Sequence, residues 1–538
     1  MKNERIKLFV AALFIAVVAF VESYIPYCIA DRDKPPQSKF LGQLAYTHDH
    51  DMYFSFIRQA YDGKLIFNNR LTAIPNSDVF FNIEFLIVGQ AMRFFHVSEN
   101  GVYQLWRFAG VCSLTFGFAF LTLIVLPNFL KRSLALCVFI FAGGFGIFFA
   151  VARALGYISR EVMNNFSLDL LAGVLPLQQL MLNPHFSLPH GLMLIGFATF
   201  LLAEKDYSPH WYIASGTVFF LNGFIRPYDL ISLFVGIGAF IGIEAIRHFD
   251  RRTILLRAIP LVIISPVLVY SIWLFRLHPV FKYWSRQGHN ISVWPPPYIG
   301  IFAYGVIAIL AIYRILQLKK NPLSSAERFL CIWFVSIFCL SYIGTMIPRF
   351  GFSPQLGIPL FGPLVVLAFS LRLQLQDRSR TLFISLVALL VIIGNIGIVA
   401  YHSQRSITAF GPLPIYATDD EIAALEWLNK TVSEENAVLA LPPVSGRICK
   451  YTSASSVVGH FSLTPNYPST MARVRSVLTA PKFTHTELSA LRELGTDFLF
   501  IGPEEQHLLG FDPNTAPHLS KVYAQGSVGI YKVDRLAK

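Results

Sequence analysis

Two carboxylates and two imidazoles occupy four consecutive positions of the chain, His48, Asp49, His50 and Asp51. A carboxylate can take a proton from a hydroxyl nucleophile, and carboxylate and imidazole groups are common ligands of divalent metal ions. The cluster therefore predicts a general base, a metal site or both. Asp49 and Asp51 are the candidate catalytic carboxylates, and both could bind Mg²⁺, Mn²⁺ or Zn²⁺ together with His50. The alternative is a solvated polar loop without chemistry.

Other ionisable residues lie at the edges of apolar segments, where facing lipid would be costly. Glu84 opens one such segment, and His185 follows the Asn-Pro pair that begins another. Arg226 and Asp229 flank a Pro-Tyr pair that interrupts a third segment. A proline there breaks the helix, and broken backbone at membrane depth is tolerated only where it faces protein or a water-filled cavity. Glu84, His185, Arg226 and Asp229 are therefore candidate substrate-binding residues in one cavity. Alternatively, Glu84 lies at the level of the lipid headgroups, where its charge costs little. Pro184 would then only occupy the first position of a helix, an ordinary role for proline.

The composition indicates which elements position these residues. Of 538 residues, 54% belong to the hydrophobic set and only 14% are charged, against about 25% charged in an ordinary soluble protein. Repeated apolar runs of about 20 residues indicate a chain that crosses a bilayer many times. The net charge of +12 lies in the part before Tyr401, mostly in short loops. We attribute it to the bias that orients membrane helices and not to nucleic-acid binding.

Basic loops predict the orientation. Three bases precede the first apolar stretch, Leu8 to about Ala30, so its N-terminus is predicted inside. The polar loop Asp31–Asp78 is then outside. Basic loops at Arg247–Arg252, Lys319–Arg328 and Arg372–Arg380 are predicted inside, which places the chain after Tyr401 outside and requires an odd number of spans. Further apolar segments lie near residues 79–97, 103–127, 133–152, 186–203, 211–225, 229–246, 253–275, 298–316, 327–347, 356–372 and 381–400.

The number of spans has two solutions. Thirteen spans result if residues 166–182 also cross, and eleven result if residues 79–97 lie along the interface; we favour thirteen. On either solution, Arg286 and Arg349 lie in outside loops, where the orienting bias does not account for basic residues. Because arginine binds phosphate through a bidentate fork, both are candidate phosphate ligands. Headgroup anchoring is the alternative for both residues.

Residues 401–538 have a different character, with 12 basic and 13 acidic residues. Asp419 and Asp420 precede an amphipathic helix. The segments AVLALP and DFLFIGP are typical of strands. The segment ELSALRELG is typical of a helix that ends at Gly495. A hairpin with glycine at its turn follows. The sequence therefore predicts a polytopic α-helical membrane protein of about eleven to thirteen spans, in residues 1–400, with a soluble C-terminal α/β domain in residues 401–538.

A long outside loop straight after the first span, with an acidic motif followed by Tyr, Arg and Gly, resembles the GT-C superfamily of integral-membrane glycosyltransferases. Many members carry an Asp with a Tyr four residues later, and that Asp activates the acceptor; Asp49 and Tyr53 have this spacing. The resemblance thus implies that Asp49 is the base and Asp51 the second carboxylate. The chain has His50 where many members have Glu or Asp, so metal use stays open.

The resemblance implies transfer of a sugar from a polyprenyl-phosphate or polyprenyl-diphosphate donor to a lipid, glycan or protein acceptor. The setting would be the outer face of a bacterial inner membrane, as part of cell-envelope synthesis, with an extracytoplasmic C-terminal domain and no nucleic-acid partner. Positive charge must hold the leaving phosphate, and Arg58 is a nearby candidate, although it could instead pair with Asp62. His460, in a Gly-His loop, could meet the acceptor, but a structural turn histidine is the preferred interpretation. A transporter or flippase and a non-catalytic scaffold are the competing hypotheses.

Overall fold

A computed structural model describes residues 2–171, 173–287, 301–317, 321–346, 356–371, 377–407 and 415–534. The chain forms two compact units. The first, here called the helical unit, comprises Met1–Ile29, Tyr103–Ser271 and Asn290–Thr408. The second, here called the mixed unit, comprises Ala30–Val102, Ile272–His289 and Ala409–Lys538.

Eight helices in the described ranges are long and apolar enough to cross a membrane. Many of their large apolar side chains are exposed, such as Phe14 at 69% and Leu382 at 73%, as expected for surfaces that face lipid. The prediction of a polytopic membrane protein is confirmed, and the chain is an integral membrane protein. The helices are Asn3–Arg32, Glu99–Val125, Phe129–Ala154, Pro184–Asp206, Tyr228–Arg247, Arg251–Leu277, Ser325–Ile343 and Leu382–Gln404.

In three further predicted spans, the helices within the described residues have fewer than 18 residues. Two further apolar helices cover Gly305–Leu316 and Ile358–Phe369, and Pro209–Ile225 has 17 residues. The segment 166–182 is not one helix, because residues 173–175 are not helical. It contains the end of Arg160–Phe166, then Leu168–Leu171 and Pro176–Leu182. The total of eleven or thirteen spans stays a prediction.

The C-terminal part of the mixed unit is built on a five-stranded sheet. The strands are Ala437–Leu439 (β3), Ser455–Ser456 (β4), Phe498–Ile501 (β5), Leu519–Gln525 (β6) and Val528–Val533 (β7). Their order is β4-β3-β5-β7-β6, with β3 parallel to β4 and β5, and with β7 antiparallel to β5 and β6. The predicted strands and the hairpin are confirmed.

Helices cover both faces of this sheet, because its strands alternate apolar side chains between two cores. One core contains Leu425 and Leu428 of the helix Asp419–Thr431, with Phe500 and Ile530 of the sheet. The other core contains residues of Tyr467–Leu478 and His485–Glu493. The C-terminal part is therefore α/β, as predicted. The remaining helices here are Val444–Tyr451 and Pro503–Leu508.

The long first loop belongs to the same mixed unit as the sheet. Its strand Ser38–Phe40 (β1) pairs antiparallel with Tyr416–Thr418 (β2). Further along, the carbonyl oxygens of Arg70 and Leu71 accept from the backbone N–H groups of Ser456 and Gly459, at 2.8 and 3.2 Å. Backbone pairing thus joins segments that lie almost 400 residues apart.

The Asp-containing motif lies on the helix Thr47–Tyr61, here called the motif helix. It packs against Ile83–Phe95 and Val444–Tyr451. Gly89 allows the first approach, since an added Cβ would lie 2.5 Å from the carbonyl oxygen of Ile57. Nearby, Lys282–Gln287 is a short helix after the π-helical turn Trp273–Leu277.

Gly459 tests the backbone pairing between loop and sheet. A Cβ at this position would lie 2.8 Å from the Cα of Leu71, closer than atoms pack without displacement. We expect Gly459→Val to lower the free energy of unfolding by about 1–3 kcal/mol, the usual cost of overpacking, and to lower the melting temperature in a thermal-shift assay. Ser469→Val, at an exposed helical position, is the control. Equal melting temperatures for the two variants would contradict the pairing.

Candidate functional site

The motif helix separates residues that are adjacent in sequence. Successive helical side chains point about 100° apart, so Asp49 and Asp51 face different surroundings. The side chain of Asp49 is 37% exposed and that of Asp51 only 2%. His50 is fully buried, with its ring 5.9 Å from that of Tyr53. Of the two carboxylates, only Asp49 is open to a substrate.

Asp49 has a partner from the C-terminal part of the mixed unit. His460 Nε2 lies 3.3 Å from Asp49 Oδ1. The other ring nitrogen, Nδ1, accepts a hydrogen bond from the backbone N–H of Ser462 at 3.2 Å and lies 2.8 Å from the Ser462 hydroxyl. Because a backbone N–H can only donate, the proton of a neutral ring is on Nε2. His460 therefore donates to Asp49 and orients its carboxylate.

The loop that carries His460 is anchored to the first loop. The His460 backbone N–H donates to Thr464 Oγ1, and that hydroxyl donates to the Leu71 carbonyl at 2.7 Å. The Asn69 side chain donates to the Leu463 carbonyl at 2.8 Å. His460 is thus more than the turn residue that we preferred from the sequence. Asp49 lies 411 positions away, and no local pattern pairs the two.

The surroundings of Asp49 keep its carboxylate ionised. Partial removal from water would raise its pKa, but the hydrogen bond from His460 and the positive charge available on His460, His50 and His48 outweigh that effect. The pKa of Asp49 therefore lies below its ordinary value. At neutral pH the side chain is a proton acceptor, held in place before a substrate arrives.

Asp51 is part of a buried ion pair. Its Oδ1 lies 3.5 Å from Lys450 Nζ, and the ammonium group lies over the rings of Phe54 and Tyr451. Burial would lower the pKa of Lys450, but the neighbouring Tyr451 hydroxyl and the negative charges of Asp51 and Glu99 outweigh that effect and raise the pKa. Lys450 is thus charged. Asp51 therefore lies at the contact between the motif helix and Val444–Tyr451, and its catalytic role stays a prediction.

The predicted metal ligands do not converge. Asp49, His50 and Asp51 point in three directions, and Asp51 faces Lys450. Across the described residues, no group of three or more His, Cys, Asp or Glu side chains is placed to hold a metal ion. The donor set of the motif therefore does not fit a divalent ion shared by these three residues.

Arg58 has its guanidinium donors engaged. They bind Asp62 Oδ1 at 3.0 Å, the Tyr451 carbonyl at 3.1 Å and Asn429 Oδ1 at 3.1 Å. Arg58 lies nine residues after Asp49 on the motif helix, about 13 Å along its axis. The predicted pair with Asp62 is present, and Arg58 links the motif helix to the C-terminal part of the mixed unit.

The other predicted residues are divided between the two units. Glu84, in the first turn of Ile83–Phe95, is buried within the mixed unit. In the helical unit, His185 is buried in the first turn of Pro184–Asp206. Arg226 and Asp229 form a buried pair there at 3.2 Å, and Asp229 also accepts from Asn222 at 3.1 Å.

Two predicted arginines are not characterised by the structure. The backbone of Arg286 lies in the short helix Lys282–Gln287, but its side chain lies outside the description. Arg349 falls in residues 347–355, outside the described ranges. Phosphate binding by these two residues stays a prediction.

Solved structures share the fold of the chain at low sequence identity. ArnT from Cupriavidus metallidurans bound to undecaprenyl phosphate gives a TM-score of 0.52 at 12% identity, covering 97% of this chain and 98% of ArnT. The archaeal oligosaccharyltransferase AglB from Archaeoglobus fulgidus, in complex with an inhibitory peptide and a dolichol-phosphate, gives 0.51 at 13%, covering 91% and 69%. The arabinofuranosyltransferase AftD from Mycobacteria gives 0.57 at 14%, covering 97% and 41%.

In sequence, no family model and no curated protein matches the chain. The structural likeness extends over nearly the whole chain, including both units. The fold expected from the GT-C resemblance, a polytopic membrane protein with a C-terminal α/β domain, is therefore confirmed. An AglB structure in complex with Zn and sulfate, 12% identical, shares this fold as well.

Asp51 and Lys450 provide a test of the assignment of Asp51. Asp51→Leu leaves a buried ammonium group without its carboxylate, so we expect a loss of about 3–5 kcal/mol in the free energy of unfolding. Asp51→Leu combined with Lys450→Met removes both charges and should recover most of that loss. Chemical denaturation of purified protein measures both. A stable single variant that has lost all catalytic activity would instead return Asp51 to the chemistry.

Proposed function

We propose that this protein is a membrane glycosyltransferase. It moves a sugar from a polyprenyl-phosphate or polyprenyl-diphosphate donor to a lipid, glycan or protein acceptor at the outer face of the membrane. One observation carries the proposal: Asp49 is partly exposed, and its carboxylate lies 3.3 Å from His460 Nε2. The fold shared with three transferases, two of them bound to a polyprenyl phosphate, supports the substrate class.

The chemistry follows from the position of the proton acceptor. The acceptor group gives its proton to Asp49 as its nucleophilic atom forms a bond to the anomeric carbon. The bond from that carbon to the phosphate oxygen breaks, and its electron pair leaves with the lipid phosphate. A base with a low pKa suffices, because the acceptor hydroxyl becomes acidic only as its new bond forms. Solvent then takes the proton from Asp49.

The leaving phosphate needs positive charge. Arg58 and Arg226 already have carboxylate partners, so Arg286 and Arg349 are our candidates for this role. Glu84, His185, Arg226 and Asp229 stay candidates for substrate binding. Since the motif does not fit a shared divalent ion, no step is assigned to a metal. Mass spectrometry of lipid that co-purifies with the protein would identify the donor.

Asp49 and His460 should have distinct effects on turnover. Asp49→Asn keeps size and hydrogen bonding but removes the proton acceptor, so we expect turnover to fall by about 10²- to 10⁴-fold. His460→Phe removes one hydrogen bond to a charged group, worth about 1.5–3 kcal/mol, and turnover should fall by about ten- to a hundredfold. Sugar transfer from the identified donor, in detergent or vesicles, is the measurement.

Asp78→Asn, an exposed carboxylate of the same loop, serves as the control and should leave turnover unchanged. Folding of each variant is checked by its melting temperature. A folded Asp49→Asn protein with full activity would remove the base from this loop and, with it, the proposed mechanism.

We further propose that the N-terminus is cytoplasmic and that the C-terminal domain lies outside. A cysteine in place of Ser469, exposed on Tyr467–Leu478, should react with a membrane-impermeant maleimide in intact cells. A cysteine in place of Arg252, exposed in a predicted inner loop, should react only after permeabilisation. Signals are read against the unsubstituted chain, whose Cys28 and Cys339 are exposed. The reverse pattern would place the site on the inner face.

A further inference from the structure

A cavity of about 220 Å³ lies in the mixed unit, beside Arg58 of the motif helix. Its walls come from β1, from the first turn of Glu99–Val125 and from the helix Asp419–Thr431. Arg58 lies about 13 Å from Asp49 along the axis of the motif helix. Asp49 is not part of the lining, so the cavity is separate from the candidate base.

The cavity is lined by buried apolar side chains and by exposed polar ones. Phe40 and Leu425 are buried. Glu426 and Asn429, about one helical turn apart on Asp419–Thr431, are exposed. A volume of about 220 Å³ is below the roughly 300–1,000 Å³ of pockets that bind drug-sized ligands. The space therefore suits one small ring with an apolar face and polar substituents.

The charged side chains of the lining balance one another. Lys39 and Arg58 are basic, and Glu99 and Glu426 are acidic. A phosphate would meet repulsion from the two carboxylates as well as attraction to the two cations. A neutral ligand meets no such conflict and can still form hydrogen bonds with all four groups. The lining therefore favours a neutral, polar ligand.

Two amide side chains of the lining have orientations set by the protein. Asn429 Oδ1 accepts from Arg58 Nη2 at 3.1 Å, which leaves the amide N–H groups to donate to a ligand. Asn100 Nδ2 donates to the Phe40 carbonyl at 3.3 Å, which leaves Oδ1 to accept. A hydroxyl group donates one hydrogen bond and can accept two. The lining thus offers oriented donors and acceptors to a ligand with several hydroxyl groups.

We propose that this cavity, here called the sugar pocket, binds a neutral sugar ring. The C–H face of the ring packs on the apolar lining, and its hydroxyls bond to Asn100, Glu426 and Asn429. Sugar rings of this kind carry no charge and combine an apolar face with hydroxyls that both donate and accept. Apolar contact together with a few placed polar groups is the usual design of small-molecule sites.

The distance from Asp49 indicates which sugar occupies the pocket. The transferred sugar reacts at its anomeric carbon and must lie at Asp49. A ring beside Arg58, about 13 Å away along the motif helix, is therefore a different one, and we assign it to a glycan acceptor. This assignment rests on the proposed function, and it selects a glycan among the lipid, glycan and protein acceptors. Sugar binding itself does not depend on catalysis.

Saturation-transfer NMR tests the sugar pocket. The full-length protein in lipid nanodiscs is titrated with the methyl glycosides of glucose, galactose, mannose and N-acetylglucosamine. We expect saturation transfer to at least one of them. Glu426→Ala should weaken its binding by about ten- to a hundredfold, the contribution of a hydrogen bond to a charged group, and Asn429→Ala by about two- to tenfold. Lys430→Ala, exposed on the same helix but outside the lining, is the control and should bind normally.

Three results would overturn the sugar pocket. The first is the absence of saturation transfer to all four glycosides. The second is equal affinity of the Glu426→Ala and Lys430→Ala variants for a glycoside that binds. The third is displacement of the bound glycoside by inorganic phosphate, which would show a site for anions.

The acceptor role is measured separately, in the transfer assay. Glycans that contain the bound sugar serve as acceptors, and Glu426→Ala should raise KM about ten- to a hundredfold at unchanged kcat, because the contact is present in both ground and transition states. Weakened glycoside binding with an unchanged KM would refute the acceptor role. A fully active Asp49→Asn variant would refute the proposed function, whereas glycoside binding by that variant should equal that of the unsubstituted chain.

Discussion

The candidate site depends on backbone pairing between the first loop and the C-terminal sheet. The carbonyls of Arg70 and Leu71 bind the edge of the sheet, and the following loop returns to the same carbonyl of Leu71 through Thr464. Closing so long a stretch of chain is entropically costly. The buried contacts that offset this cost also place His460 3.3 Å from Asp49. Without this pairing, Asp49 would lack His460 as a fixed partner.

Buried charges explain why one carboxylate of the motif is accessible and the other is not. An unpaired charge in a protein interior is strongly destabilising, and two buried pairs of opposite charge lie on or beside the motif helix. Asp51 faces Lys450, and Arg447 binds Glu421 at 2.6 Å. Asp49 instead is partly exposed and bound to a histidine. Its negative charge is therefore not neutralised by a permanent cation and can accept a proton.

The shared fold at 12–14% identity has a physical explanation. Lipid-facing helices require apolar side chains but hardly discriminate among them, so their sequences diverge while the arrangement of spans persists. In the mixed unit, the fold needs only a loop that reaches the sheet edge and two apolar cores around the strands. Sequence comparison detects neither requirement well, whereas comparison of coordinates detects both.

The sequence by itself determined the local and compositional features. Its apolar runs predicted the membrane helices, and its periodicities predicted the helices and strands of the C-terminal domain, because both depend on residues near each other in the chain. The spacing of Asp49 and Tyr53 predicted the motif, but not which carboxylate faces water. Tertiary structure alone decided which carboxylate faces water. It also decided that Asp51 pairs with Lys450 and that Asp49 pairs with His460. Adjacent residues on a helix point about 100° apart, so their surroundings are set by whatever packs on each side, here residues some 400 positions away.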